Sequence, residues 1–133
     1  MPFKNQSGQV MGRKTLLIDR ANPVRSIRTA LATFGYYPAL PGRKPVKDAP
    51  FTLREKNYWV EGEWIRGVNG DAYPRFHLHI RDVDQLDWET VRLTLLVYLN
   101  PVVHDTDSTT EGVVQCLAEM ARIERAPQQI AVG

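Results

Sequence analysis

The chain has 133 residues, of which 43% are hydrophobic and 24% are charged, and this length and composition fit one globular domain rather than a disordered or fibrous chain. Its single cysteine excludes an intrachain disulfide, and it has no run of about 18 apolar residues that would predict a transmembrane helix. The first 14 residues are polar and basic without an apolar centre, so no secretory signal peptide is predicted. We therefore expect a protein that is cytoplasmic or lies within an assembled particle.

Charge is distributed unevenly along the chain. Residues 1–57 hold 11 Lys/Arg against 3 Asp/Glu, a net charge of +8, whereas residues 58–133 hold 6 Arg against 12 Asp/Glu, a net charge of −6. This asymmetry predicts an acidic partner for the first half, such as nucleic acid, or contacts between the basic part of one copy and the acidic part of the next. Alternatively, the two halves pack together in one monomer and neutralise each other.

The N-terminal part of the chain is predicted to hold an arm and a helix. Residues 1–14 read as a flexible basic arm, and residues 15–19 as a short strand or the lead-in to a helix. Asn22 as N-cap and Pro23 as first helical residue predict a helix start, and Gly35 predicts its end.

Basic residues recur in and after this helix. Arg25 and Arg28 lie one turn apart on its polar face, where they could bind phosphate or a carboxylate, or remain solvated. Residues 38–50 then form a proline-rich loop, which we interpret as a contact arm to a partner or nucleic acid, or as a mobile linker. The loop carries three cations: Arg43, Lys44 and Lys47.

Residues 57–81 are predicted to form a long β-hairpin, because polar and apolar residues alternate along residues 76–81 and a turn sequence occupies residues 69–71. Matching the apolar faces of the two strands fixes the register, since a slip of one residue would invert every side chain. Three pairs then face the core: Val60 with Ile80, Gly62 with Leu78, and Trp64 with Phe76.

On the other face, this register places Glu61 beside His79 and Glu63 beside His77. Such a cluster could be a catalytic acid/base site, a divalent metal site, or a set of solvated ion pairs that each contribute less than about 1 kcal/mol. The neighbouring carboxylates are expected to raise the histidine pKa values. Two further ligands could complete a metal site with the histidines: His104 and Asp105. No cofactor is predicted.

The C-terminal half is predicted to hold one or two helices. Residues 82–89 resemble the acidic start of a helix. Residues 90–99 are interpreted as its continuation, although their strict alternation also fits a third strand. Ser108 and Glu111 predict a capping box that starts the last helix, which ends before Pro127.

Together these elements predict a single α+β domain over residues 1–133. Its antiparallel sheet is centred on the hairpin at residues 57–81, and helices pack on the apolar sheet face. The predicted core comprises Val24, Ile27, Leu31, Phe34, Val60, Trp64, Phe76, Leu78, Ile80, Val91, Leu95, Val113, Leu117 and Met120.

The function predicted from these features is that of a non-enzymatic interaction or assembly protein, a subunit of a larger homo- or hetero-oligomeric complex. The charge asymmetry favours protein partners, and the sequence has no phosphate loop, paired-cysteine motif or nucleophile elbow. One alternative is a nucleic-acid-binding module that uses the basic half and an exposed Trp59 or Tyr37 for base stacking. A second is a small nuclease or hydrolase that uses the Glu/His face, with Arg75 or Arg81 near the developing negative charge.

The order of elements from Asn22 to Arg125 resembles that of small tail-terminator and head–tail joining proteins of tailed phages. The resemblance lies in this order and in no sequence motif. It implies a tail or neck protein of a phage or mobile-element particle, with neighbouring subunits as partners.

Overall fold

The computed structural model describes residues 8–39, 48–102 and 106–127. Within these ranges the chain forms two helices and seven strands: β1 (Val10–Leu17), α1 (Pro23–Thr33), β2 (Tyr37–Pro38), β3 (Asp48–Leu53), β4 (Lys56–Glu61), β5 (Glu63–Gly67), β6 (Arg75–Gln85), β7 (Thr90–Asn100) and α2 (Thr110–Arg125). Five strands make one antiparallel sheet in the order β1-β7-β6-β5-β2, and β3 and β4 pair separately. The predicted α+β class is therefore confirmed.

Local capping chemistry accounts for both helices. Asn22 caps α1 by accepting a hydrogen bond from the backbone N–H three residues later, at 3.1 Å. Gly35 follows the helix with φ of +95°, which glycine adopts without the cost of a side chain. For α2 the N-cap is Thr109 rather than the predicted Ser108, because the Thr109 hydroxyl accepts the Gly112 N–H at 3.1 Å.

The interpretation of residues 82–99 as a helix is wrong. β6 continues to Gln85, and Leu86 N donates to Thr90 O at 2.9 Å to close the turn into β7. β7 pairs on one side with β6 and on the other with β1. Its alternate residues are all buried: Val91, Leu93, Leu95, Val97 and Leu99. The period of two, satisfied by two neighbouring strands, outweighs the acidic cap signal.

The first strand of the predicted hairpin is two strands, divided at Gly62. β4 pairs with β3, whereas β5 pairs with β6. The carbonyl of Gly62 still accepts a hydrogen bond from Ile80 N at 2.8 Å, so the chain leaves the large sheet immediately N-terminal to this point.

The predicted hairpin register is displaced by two residues from the observed one. Trp64 lies opposite Leu78, not Phe76. A displacement of two leaves each side chain on the expected face, because faces alternate with a period of two. The loop at residues 68–74 decides the pairing: Val68 N donates to Pro74 O at 3.0 Å, which makes the connection longer than the predicted turn.

The two faces of the five-stranded sheet differ. The inner face carries the buried side chains of its strands, among them Leu16, Trp64, Leu78 and Val97, and belongs to one continuous core. β3 lies close to β6, and α2 lies close to β1 and β7, where Met120 fills the space above Gly12. The outer face is the opposite side. By register it holds Met11, Arg13, Thr15, Leu17, Tyr37, Glu63, Ile65, Arg75, His77, His79, Asp82, Asp84, Arg92, Thr94, Leu96 and Tyr98.

Most predicted core residues are buried, but Leu117 is not. It is 53% exposed, whereas Cys116, Met120 and Ile123 of the same helix are buried. Val24 and Val113 are only partly buried. Burial raises the pKa of the Cys116 thiol to about 11, so this cysteine is a core side chain and not a nucleophile.

Two predicted flexible segments are partly ordered into strands. Residues 10–14 of the predicted basic arm belong to β1, because their backbone pairs with β7. Of the predicted loop at residues 38–50, Pro38 ends β2, and residues 48–50 begin β3. Arg43, Lys44 and Lys47 lie outside the described residues.

Candidate functional site

The outer face brings together part of the predicted Glu/His cluster. Glu63 of β5 lies directly opposite His79 of β6, and His77 lies between Ile65 and Tyr98 on the neighbouring strands. We call Glu63, His77, His79, Tyr98 and Arg75 the outer-face cluster. The predicted pairing of Glu63 with His77 is therefore diagonal rather than direct.

His77 is held by stacking more than by hydrogen bonding. Its ring lies on the Tyr98 ring with centroids 4.7 Å apart and planes 11° apart. Its Nε2 is 3.6 Å from Glu63 Oε1, which is too long for a full hydrogen bond. The side chain is only 13% exposed, and Nε2 has no hydrogen-bond partner within the part of the chain that the structure describes.

Burial controls the protonation of this cluster. It lowers the pKa of His77, and the nearby Glu63 carboxylate opposes this effect without overcoming it. The expectation that a carboxylate would raise this pKa is therefore wrong, because desolvation disfavours the imidazolium more than Glu63 stabilises it. Burial also raises the pKa of Tyr98 to about 12. Burial therefore favours the neutral imidazole of His77 and the neutral phenol of Tyr98.

Glu61 is separate from this cluster. It accepts two hydrogen bonds from Arg28, at 2.8 Å from Nε and 3.0 Å from Nη2, and this contact joins α1 to β4. The hydrogen bonds lower the pKa of Glu61. The ion pair also joins the basic half of the chain to the acidic half, and it compensates one of the two helix cations proposed for phosphate binding.

The other predicted binding residues that the structure describes lie on α1 and β4. Arg25 is exposed on α1, one turn before Arg28. Trp59 is 57% exposed and lies two residues before Glu61 on β4, so both side chains point to the same side of that strand. The structure therefore places Trp59 on the same side of β4 as Glu61, the partner of Arg28.

A metal site is not assembled within the described ranges. There, no group of three or more His, Cys, Asp or Glu residues could hold a metal ion. His77 and His79 thus have no third ligand among these residues. His104 and Asp105 lie outside them.

Sequence reasoning missed a buried carboxylate on α2. Glu119 is 4% exposed and accepts the Tyr36 hydroxyl at 2.6 Å together with paired hydrogen bonds from Arg66 and Arg122 at 2.8–3.0 Å. Burial would raise the pKa of Glu119, but these donors outweigh it and hold the pKa at about 2. The available signal was its position in the apolar stripe of α2, three residues after Cys116.

Sequence reasoning also missed an exposed tryptophan held by two arginines. The guanidinium of Arg54 lies 5.6 Å from the Trp88 ring centroid, and that of Arg20 lies 5.5 Å from it. Arg54 also donates to the carbonyls of Trp88 and Arg20, at 2.6 and 3.1 Å. Arg54 is 34 residues from Arg20 and 34 residues from Trp88 in the chain, so no local sequence pattern could reveal this contact.

Several large apolar side chains of the outer face are open. Met11 is 55% exposed, Leu17 46% and Tyr37 51%, and they lie on the two edge strands of the sheet. Between them, Ile65 is buried and Leu96 is partly buried. The outer face thus combines apolar side chains with the outer-face cluster.

No protein-family model, no curated protein and no solved structure matches this chain. None of the helices in the described ranges has both the length and the apolar character needed to cross a membrane. The function is therefore inferred from the outer face itself.

Proposed function

We propose that the protein is a non-enzymatic subunit of a larger protein assembly and that the outer face of its five-stranded sheet is the contact surface. The observation that carries this proposal is the contrast between the two faces. The inner face carries the continuous core, whereas the outer face leaves Met11, Leu17 and Tyr37 about half exposed on its two edge strands, around a centre in which Ile65 and Thr94 are buried.

Apolar exposure supports a protein contact. A sheet face that is meant for water alternates cleanly with polar side chains outward. This face instead holds Met11 on β1, Leu96 and Tyr98 on the neighbouring β7, and Ile65 on β5. Contiguous apolar surface with a polar surround is typical of protein–protein interfaces.

Unsatisfied donors and acceptors support the same proposal. Three side-chain nitrogens are buried without a hydrogen-bond partner in the described part of the chain: Arg75 Nε, His77 Nε2 and Arg92 Nε. All three residues lie on the outer face. Buried polar atoms normally have partners. Because these nitrogens are closed to solvent in the single chain, a neighbouring subunit could supply the partners only when the side chains turn outward at the contact. The proposed assembly includes phage-like particles, because the order of elements from Asn22 to Arg125 resembles that of small tail-terminator and head–tail joining proteins.

The test compares two equally exposed apolar residues. Met11→Glu places a charge on the outer face, whereas Leu117→Glu places it on α2, where Leu117 is 53% exposed. We expect the wild type and the Leu117 variant to sediment as oligomers and the Met11 variant to shift toward monomer. Equal behaviour of the two variants, or a wild type that is monomeric at high concentration, would contradict the proposal.

A hydrolase is a second candidate function, because Glu63 Oε1 and His77 Nε2 lie 3.6 Å apart and Arg75 is on the same strand as His77. A positively charged side chain near a carboxylate and an imidazole is the set of groups that metal-free phosphodiester cleavage uses. Hydrolysis of RNA by the purified protein, lost in His77→Ala but kept in Glu61→Ala, would favour this function over assembly alone.

A further inference from the structure

We propose that the partner of the outer face is a second copy of this chain, packed face to face about a twofold axis that runs along β7. This inference rests on the proposed function and specifies the partner. It follows from the arrangement of charges that the strand register produces on either side of β7.

Acidic and basic side chains lie on opposite sides of β7. Thr94 of β7 has Asp82 of β6 beside it on one side and Arg13 of β1 on the other. Adjacent strands are about 4.8 Å apart, so the two charges are equally far from β7. Both residues are exposed.

A twofold axis along β7, midway between two stacked sheets, exchanges the two sides. We call a β7 residue and its register partners on β6 and β1 a row. Each β6 residue of one copy then faces the β1 residue of the same row in the other copy. Asp82 of one copy therefore faces Arg13 of the second copy, and the same contact forms again by symmetry. An isologous interface requires this kind of self-complementarity.

The next row has an apolar residue, Leu96, on the axis. Leu96 of β7 is flanked by His79 of β6 and Met11 of β1. In the dimer Leu96 packs against its own copy, and Met11 packs against His79. Face-to-face sheets stand about 10 Å apart, so these side chains interdigitate and remove Met11 from water. The half-exposed methionine thereby gains a buried environment.

The third row contains the charge least favourable to the dimer. Arg92 lies on the axis and would approach its own copy, but Asp84 is its neighbour on β6. Two Asp84 carboxylates therefore flank the two guanidiniums. Arg81, the extra residue of the β-bulge, has no register partner and adds one cation beside Asp82. The Asp82–Arg13 contacts thus provide the orientation, in the way that charge pairs set register at interfaces.

Charge reversal tests this geometry. Arg13→Asp brings two like-charged pairs together across the axis, and so does Asp82→Arg. We expect each single variant to raise the dimer dissociation constant by about tenfold or more at low salt, and the double variant to recover most of the affinity. Arg25→Asp makes the same charge change on α1 and is the matched control with no expected effect. Sedimentation at several concentrations measures all four, and circular dichroism with urea unfolding verifies that each variant is folded.

Each outcome is decisive. Recovery in the double variant supports the twofold arrangement. Single variants that dimerise like the wild type would overturn it, as would a double variant no better than the singles. If the charge-reversal test fails but Met11→Glu still dissociates the oligomer, assembly through the outer face is retained and only the twofold geometry is overturned. A monomeric wild type would overturn both proposals.

Discussion

Glu119 and Glu63 are two carboxylates of the same fold with opposite surroundings. Glu119 is enclosed, and both of its oxygens accept hydrogen bonds from Tyr36, Arg66 and Arg122. Glu63 has side-chain exposure of 32% and only a 3.6 Å approach to His77. Arg66 and Glu63 are three residues apart on β5, so the alternation of a single strand directs one to the inner face and the other to the outer face.

The comparison separates a structural cluster from a contact surface. The Glu119 cluster joins α2, β5 and the segment after α1, and its donors satisfy the buried charge. The outer-face cluster leaves His77 Nε2 and Arg75 Nε without partners in the described residues. A buried group whose hydrogen bonds are complete stabilises the monomer, whereas a buried group with unmet hydrogen bonds costs stability until a rearrangement or a partner supplies them.

The largest expected effect comes from neutralising the enclosed carboxylate. Glu119→Gln replaces the enclosed partner of Arg66 and Arg122, whose own side chains are 28% and 40% exposed, with a neutral amide, which should lower the free energy of unfolding by about 3 kcal/mol. Glu63→Gln, the matched change on the outer face, should cost less than about 1 kcal/mol. Urea unfolding at a fixed protein concentration measures both variants. Similar losses of unfolding free energy would contradict the distinction between the enclosed Glu119 and the partly exposed Glu63.

A second effect of similar origin appears at acid pH. The folded-state pKa of Glu119 is about 2 against an ordinary value of 4.5, so the unfolded chain binds the proton first as pH falls. This difference contributes about 3 kcal/mol of stability, fully present above pH 4.5 and lost as pH falls toward about 2. Comparing urea unfolding of the wild type and Glu119→Gln across this range should show the two curves converging as the pH falls. Parallel curves would contradict the low folded-state pKa of Glu119.

The smallest effect concerns His77 near neutral pH. Because burial lowers its folded-state pKa below 6.5, the unfolded chain binds this proton more readily than the folded chain. The stabilising contribution is therefore present above pH 6.5 and is lost as pH falls below it. The His77→Gln variant should lose less stability than the wild type between about pH 7.5 and 5.5. If the wild type instead gained stability relative to the variant, Glu63 would dominate over burial.

Local patterns were sufficient for several elements. Asn22 and Pro23 fix the start of α1 through chemistry contained in a few neighbouring residues. The alternation of residues 76–80 identifies both the strand and the faces of its side chains. These features depend on neighbours within one turn or one strand, so the sequence reveals them without knowledge of the rest of the fold.

Pairing partners were beyond local patterns. A displacement of two residues preserves every face, so apolar matching could not choose between Phe76 and Leu78 as the neighbour of Trp64. The same limit hid the partner of Glu61, which is Arg28 on a helix 33 residues earlier. Residues 90–99 were ambiguous because a helix cap and a period of two competed, and pairing with both β1 and β6 decided for a strand.

The sequence by itself therefore determined the α+β class, α1 and α2 within a residue or so, and which side chains of residues 76–80 share a face. Only the tertiary structure decided that Glu119 is enclosed by Arg66 and Arg122, that Leu117 is exposed, and that burial lowers the pKa of His77 beside Glu63. The physical reason is range. Capping and alternation act between near neighbours, whereas burial and the meeting of charges depend on segments that only the folded chain brings together.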